Sequence, residues 1–191
     1  MATTYSTTAA VKAWLVITSA ADDAKIDQAR GSAKAVIDGI TGIIWVAANG
    51  GKSFHAVEDV IGRDLRVPYF TALTTVTNGD NEVLTTADYV TVGDPKYIIR
   101  LKQLSGKWWS WSSKDDPTDA IVIVADWGYQ ATTAPELIIQ LEMELAAWFY
   151  ENRNNKVAGQ FLIATQQGTI QLPAGYPKSI VDQLYAERRV L

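Results

Sequence analysis

The sequence has 191 residues, enough for one domain with a sizeable core and short for two. Its hydrophobic share of 48% and charged share of 20% are those of an ordinary globular chain, and a net charge of −4 argues against broad nucleic-acid binding, which needs a concentrated basic face. The absence of cysteine excludes disulfides, thiolate metal sites and cysteine nucleophiles, and fits a protein made in a reducing cytoplasm.

The N-terminus, Met1-Ala2-Thr3-Thr4-Tyr5-Ser6, has neither the basic region nor the apolar region of a secretory signal. No apolar run approaches the roughly 18–20 residues that span a bilayer, so no membrane role is expected. Thr7 or Thr8 is placed to cap a short helix over Ala9–Leu15, and Thr18-Ser19 breaks it. A longer helix is predicted over Asp22–Ile40, with Ile26, Ala29, Ala33, Val36, Ile37 and Ile40 forming one stripe. Asp22 and Asp23 suit its positive end, and Gly39 and Gly42 suit its stop.

A β-rich zone follows from Gly42 to Gly128. Gly50-Gly51, Asn78-Gly79-Asp80-Asn81 and Gly93-Asp94-Pro95 read as turns, the second as a hairpin loop. Strands are predicted at Ile43–Ala47, Ser53–Val57, Asp64–Val67, Ala72–Val76, Tyr89–Val92 and Tyr97–Leu101. The unbroken apolar run Ala120–Asp126 predicts a strand buried on both faces, and Ser112–Thr118 a mobile loop before it. Pro135 then opens a helix to about Glu151, with Glu136, Gln140, Glu142, Glu144 and Glu151 as its polar positions. The apolar remainder is wider than the stripe of a surface helix, so this helix is central in a bundle or shared with another subunit. Ile139, Met143, Trp148 and Tyr150 are its expected interface residues. A loose segment carrying Gly159, Gly168, Pro173 and Gly175 leads to a last helix opened by Pro177.

No pattern of catalytic residues emerges. His55 is the lone histidine, without a nucleophile elbow or partner carboxylate, and reads as structural or solvent-exposed. Glu58/Asp59 and Asp115/Asp116 are sequence neighbours, not carboxyls held apart across a sugar. The acidic stretch 78–82 lacks calcium-loop spacing, and Gly51-Lys52-Ser53 lacks the leading glycine of a phosphate loop, Val46 standing in its place. No cofactor and no metal is expected. The run Trp108-Trp109-Ser110-Trp111 has two readings. One is a sugar-binding or base-stacking aromatic platform, as in a carbohydrate-binding or receptor-binding domain. The other is a strand with Trp109 and Trp111 on one face, serving packing or a subunit interface.

The order of these parts resembles the head–tail connector (adaptor, or head-completion) proteins of long-tailed bacteriophages and gene transfer agents. The matching features are the opening helix pair ending in Thr41-Gly42, and Val67-Pro68 followed by Leu73-Thr74-Thr75-Val76 and Asn78-Gly79-Asp80. Val122-Ile123-Val124 through Trp127-Gly128-Tyr129, the long helix through Ala146-Ala147-Trp148-Phe149-Tyr150, and a closing segment with Ile180-Val181-Asp182-Gln183-Leu184-Tyr185 complete it. The resemblance implies an α+β fold. About four helices form a bundle, and an antiparallel β-rich subdomain is inserted between the N-terminal and C-terminal helices. Residues 1–42, 43–128 and 129–191 would then be parts of one connector domain, a structural protein and not an enzyme.

The resemblance also implies a homo-oligomeric ring, usually of twelve subunits, in the virion neck. Such a ring docks beneath the portal protein and above a stopper or tail-completion protein, with genomic DNA only passing through its lumen. The C-terminal segment would engage the portal through Tyr176, Ile180, Val181, Leu184, Tyr185, Arg188, Arg189 and Leu191. Being terminal, it is expected to be removable beyond about Pro173 with the fold largely intact. The tryptophan loop 105–118 has no counterpart in the resemblance.

Overall fold

The computed structural model describes residues 4–152, 161–165, 168–172 and 176–188. The chain divides into two compact units, one of residues Met1–Ile43 with Ala134–Leu191, the other of Ile44–Thr133. The first is helical. Helix α1 (Thr8–Trp14) begins where the Thr7 side chain accepts the Ala10 N–H at 3.1 Å. It closes through Val16 in the left-handed conformation (φ 57°), with Ile17 N–H bonded to the Lys12 carbonyl at 2.9 Å. Helix α2 (Asp23–Thr41) ends on Gly42 at φ 68°, a conformation glycine adopts without steric cost. Its predicted stripe is the inner face: Ile26, Ala29, Ala33 and Ile37 are buried.

Helix α3 (Glu136–Asn152) packs against α2, α1 packs against both, and α4 (Lys178–Ala186) lies on α2. The predicted polar face of α3 needs a correction. Glu142 is fully buried, because it continues the stripe of Ile138, Leu141 and Leu145. The predicted loose segment holds an antiparallel pair, β8 (Phe161–Thr165) and β9 (Gly168–Leu172), while Gly159, Pro173 and Gly175 lie outside the described residues.

The second unit is an antiparallel sheet built from β1 (Ala48–Phe54), β3 (Asp64–Thr77), β5 (Tyr89–Gly93), β6 (Lys96–Leu101) and β7 (Ile121–Trp127) in the order β1-β7-β3-β6-β5. Two short strands, β2 (Val60–Ile61) and β4 (Val83–Leu84), also pair with β3. The Asn78–Asn81 turn joins β3 to β4 as predicted, with the Asn78 N–H bonded to the Glu82 carbonyl at 2.8 Å. The whole is α+β, the sheet standing in sequence between the N-terminal and C-terminal helices.

Four strand expectations change. Gly50-Gly51 is not a turn but the middle of β1, paired with Ala125 and Val124. Ile43–Ala47 is not a strand; only Val46 makes an isolated bridge, to Gln130. The two strands expected at 64–67 and 72–76 are one, and Pro68, which lacks an N–H, falls at the register shift between Arg66 and Phe70. Strand β7 alternates between buried and more exposed residues, Val122 being 36% exposed, because only one face of this antiparallel sheet meets the core. That core gathers Leu65, Phe70, Ile99, Ile121, Ile123 and Trp127, closed over by Trp109.

One ion pair has a pH consequence. Arg100 donates to both carboxylate oxygens of Asp64, at 2.6 and 2.7 Å, and these bonds hold the Asp64 carboxyl below the usual range. A lowered folded-state value gives stability that is present above the unfolded value and is lost as pH falls through the folded one. Wild-type and Asp64→Asn should therefore differ in denaturation midpoint at pH 7, begin to converge at about pH 4 and meet only below the lowered Asp64 value. A difference undiminished at pH 2 would disprove this role for the pair.

Candidate assembly surfaces

The residues expected to dock or to join subunits separate into three sets. In α4, Ile180, Val181 and Leu184 are 2%, 6% and 0% exposed. They form the inner stripe that seats α4 in its own unit, so the expected docking role of these three residues is corrected. For the same reason the segment beyond Pro173 is not dispensable: its removal strips three buried side chains from the helical unit, each contributing on the order of 2 kcal/mol. Tyr185 (38% exposed) and Arg188 stand on the outer side. Arg189 and Leu191 lie outside the described residues.

Along α3, Leu137 is exposed, Ile139, Met143, Trp148 and Phe149 are half-buried, and Tyr150 is buried. Tyr150 therefore belongs to the unit's own core and is withdrawn as an interface residue. The rings of Trp148, Phe149 and Tyr176 form one edge-packed cluster with centroids 5.3, 5.4 and 5.6 Å apart. An expected docking residue and an expected interface residue thus share one aromatic patch. Burial there raises the pKa of the Tyr176 hydroxyl above its usual value.

The tryptophan run is a loop, not a strand. Trp109 is 8% exposed and its indole N–H donates to the Arg63 carbonyl at 2.9 Å, so it is a core residue and neither an interface nor a platform residue. Trp108 is 60% exposed, and the Arg63 guanidinium stacks 4.2 Å from its ring centre. Trp111 is 42% exposed, and Leu104 nearby in sequence is fully exposed. Trp109 is thus buried where Trp108 and Trp111 are exposed.

Two positions missed in the sequence hold this loop. Asn78, 1% exposed, donates to the Trp108 carbonyl at 3.0 Å and accepts the Ser110 N–H at 3.1 Å. A Cβ at Gly79 would stand 2.1 Å from the Ser110 carbonyl oxygen, so only glycine admits the loop. Arg63 adds bonds to the Lys102 and Lys107 carbonyls at 2.7 and 3.2 Å. The Asn-Gly pair was legible as a turn, but its long-range partners had no local signal.

A second missed arrangement lies among the helices. Glu142 accepts the Ser6 N–H, and Arg30, 9% exposed, donates to the Ser6 carbonyl and, at 2.8 Å, to Thr8 and Asp27. The N-terminal strand of chain is thereby strapped between α2 and α3. His55 fills a turn: its Nδ1 accepts the N–H groups of Val57 and Glu58 at 3.2 and 3.0 Å, and Asp59 accepts the His55 N–H at 2.8 Å. Among the described residues no group of three His, Asp or Glu side chains is placed to hold a metal ion. Among them, too, no helix is long and apolar enough to cross a membrane.

Comparison with known proteins places this arrangement. No family model matches the sequence, and no curated protein matches it. A solved structure described as the neck of an empty GTA particle computed with C6 symmetry superposes with a TM-score of 0.66 at 20% identity, covering 98% of this chain and 92% of that one. The chain has the fold of a GTA neck subunit. A second, the neck of a native GTA particle computed with C12 symmetry, gives a TM-score of 0.58 at 18% identity over 96% and 89% of the two chains. The neck fold therefore takes in both units, not the helices alone.

Proposed function

We propose that this chain is a structural protein of the virion neck, a head–tail connector that forms a ring beneath the portal and links the DNA-filled head to the stopper or tail. The observation that carries this reading is a fold match over nearly the whole chain to neck subunits in particles of sixfold and twelvefold symmetry. Cyclic symmetry needs two different faces on each subunit that fit one another. The outer side of α3, with Leu137, Ile139, Met143 and Trp148, supports one such face, and the exposed Trp108 and Trp111 support another. The portal-facing role narrows to the outer side of α4 with Tyr185 and Arg188, together with Arg189, Leu191 and the aromatic patch around Tyr176. Genomic DNA would only traverse the lumen, and the role has no catalytic step.

Purified protein mixed with portal rings should appear in electron micrographs as an added ring. A strict monomer that leaves portal rings bare would overturn the reading. The double variant Tyr185→Ala with Arg188→Glu touches only exposed side chains. It should leave the melting temperature within about 1 °C and reduce portal binding at least about tenfold, since a reversed charge at a docking face costs on the order of 1–2 kcal/mol. Undiminished binding would remove α4 from the docking surface.

A further inference from the structure

Gly50 and Gly51 lie in the middle of β1. The Gly50 carbonyl accepts the Trp127 indole N–H at 2.7 Å, so a ring of its own sheet covers Gly50, whereas nothing among the described residues requires glycine at Gly51. Neither is among the glycines at positive φ. A Cβ at Gly50 would meet Trp127 at 4.0 Å and one at Gly51 would meet Val124 at 3.9 Å, ordinary packing distances. Glycine inside a strand costs conformational entropy and offers no side chain to pack, and where it recurs it marks close approach by something else. Gly51 thus weakens β1 with no side-chain contact among the described residues to offset it.

β1 is also an edge. In the order β1-β7-β3-β6-β5 its outer side has no strand partner among the described residues. Edge strands are ordinarily guarded by charged side chains, proline or bulges. Here the two long polar side chains of β1 are drawn onto the sheet: Asn49 donates to Asp126 at 2.7 Å, and the Lys52 ammonium stands 5.2 Å from the centre of the Trp127 ring. The residues between and beside them, Ala48, Gly50, Gly51 and Ser53, are small. The opposite edge, β5, reads Tyr89-Val90-Thr91-Val92-Gly93, with no charge and no proline, and Val90 is 40% exposed.

We propose that the outer edge of β1 receives strand β5 of a second copy of this chain, so that neighbouring sheets join edge to edge around the ring. The two edges differ, so the pairing is head-to-tail, as cyclic closure requires. An edge strand supplies backbone donors and acceptors that another extended strand satisfies. Gly51 leaves space for a large side chain of the incoming strand, as Trp127 of the same sheet already covers Gly50. The inference rests on the ring reading given above.

Gly51→Val tests it by two readouts of opposite sign. The isolated variant should melt roughly 2–4 °C above wild type, the shift expected for removing a strand glycine in a chain of this size, while ring formation on the portal falls about tenfold or more. Because the chain has no cysteine, Ser53→Cys can be combined in turn with Val90→Cys, Thr91→Cys and Val92→Cys. Oxidation of assembled rings should give a ladder of disulfide-linked multimers from the pair that lies opposite. Rings of Gly51→Val at wild-type yield, or no ladder from any of the three pairs, would overturn the edge pairing and leave the ring reading standing. A wild-type chain that never forms rings would overturn both.

Discussion

Replacing Glu142 with alanine will destabilise the protein by about 3 kcal/mol, read as a lowered urea midpoint at pH 7. The carboxylate is fully buried on the inner side of α3 and accepts the N–H of Ser6, while the carbonyl of the same residue accepts from buried Arg30. Alanine would leave the Ser6 N–H without its acceptor away from water and open a cavity the size of a carboxyethyl group. Glu142→Gln retains a carbonyl acceptor of similar volume and should cost less, on the order of 1–2 kcal/mol. The two substitutions separate hydrogen bonding from charge. If alanine costs under 1 kcal/mol, the strap contributes little and the N-terminal segment is held by its other contacts, such as Thr8 to Asp27.

Asn78→Ala should cost about 2–3 kcal/mol, and the loss should begin locally. The amide of Asn78 satisfies one donor and one acceptor of the tryptophan loop at once, and no water-exposed route replaces them at 1% exposure. Freed, the loop would withdraw Trp109 from the sheet core. Hydrogen exchange of residues 105–118 should accelerate under conditions where β3 and β7 remain protected. Gly79→Ala should act in the same direction, since its Cβ would sit on the Ser110 carbonyl. Uniform acceleration across the sheet would show instead that the loop and the sheet open as one.

What could be read in advance divides by the range of the interaction. The helices were legible because their signals are local: Thr7 as cap, Gly42 as stop, Pro135 before α3, and stripes at helical spacing. The central error concerned α4. Its stripe of Ile180, Val181 and Leu184 declares that a surface is buried but not whose surface covers it, and the partner is its own chain. Gly50-Gly51 read as a turn because glycine is a turn residue by composition, while its place in a strand depends on β7, more than seventy positions away in sequence. The partners of Trp109 and Asn78 were illegible for the same reason: hydrogen bonds between residues separated by |i−j| of 46 and 32 leave no periodic trace. Glu142 was within reach, since it stands four residues after Ile138 on the inner stripe, but its charge placed it outside.

The seam at which the sheet unit begins and ends has a consequence for how such a protein could arise. Its first residues lie beside its last: the N–H of Tyr129 donates to the Ile44 carbonyl at 2.8 Å, Gln130 donates to Trp45 at 3.0 Å, and the rings of Trp45 and Tyr129 pack 5.0 Å apart. A segment whose two ends are fastened together can be spliced in or out of a host chain through one short joint, with no gap to bridge. Residues 44–133 are in this sense a cassette. Lineages could exchange it, and with it the edges and loops it presents, while the helices that carry it kept their own sequence and packing.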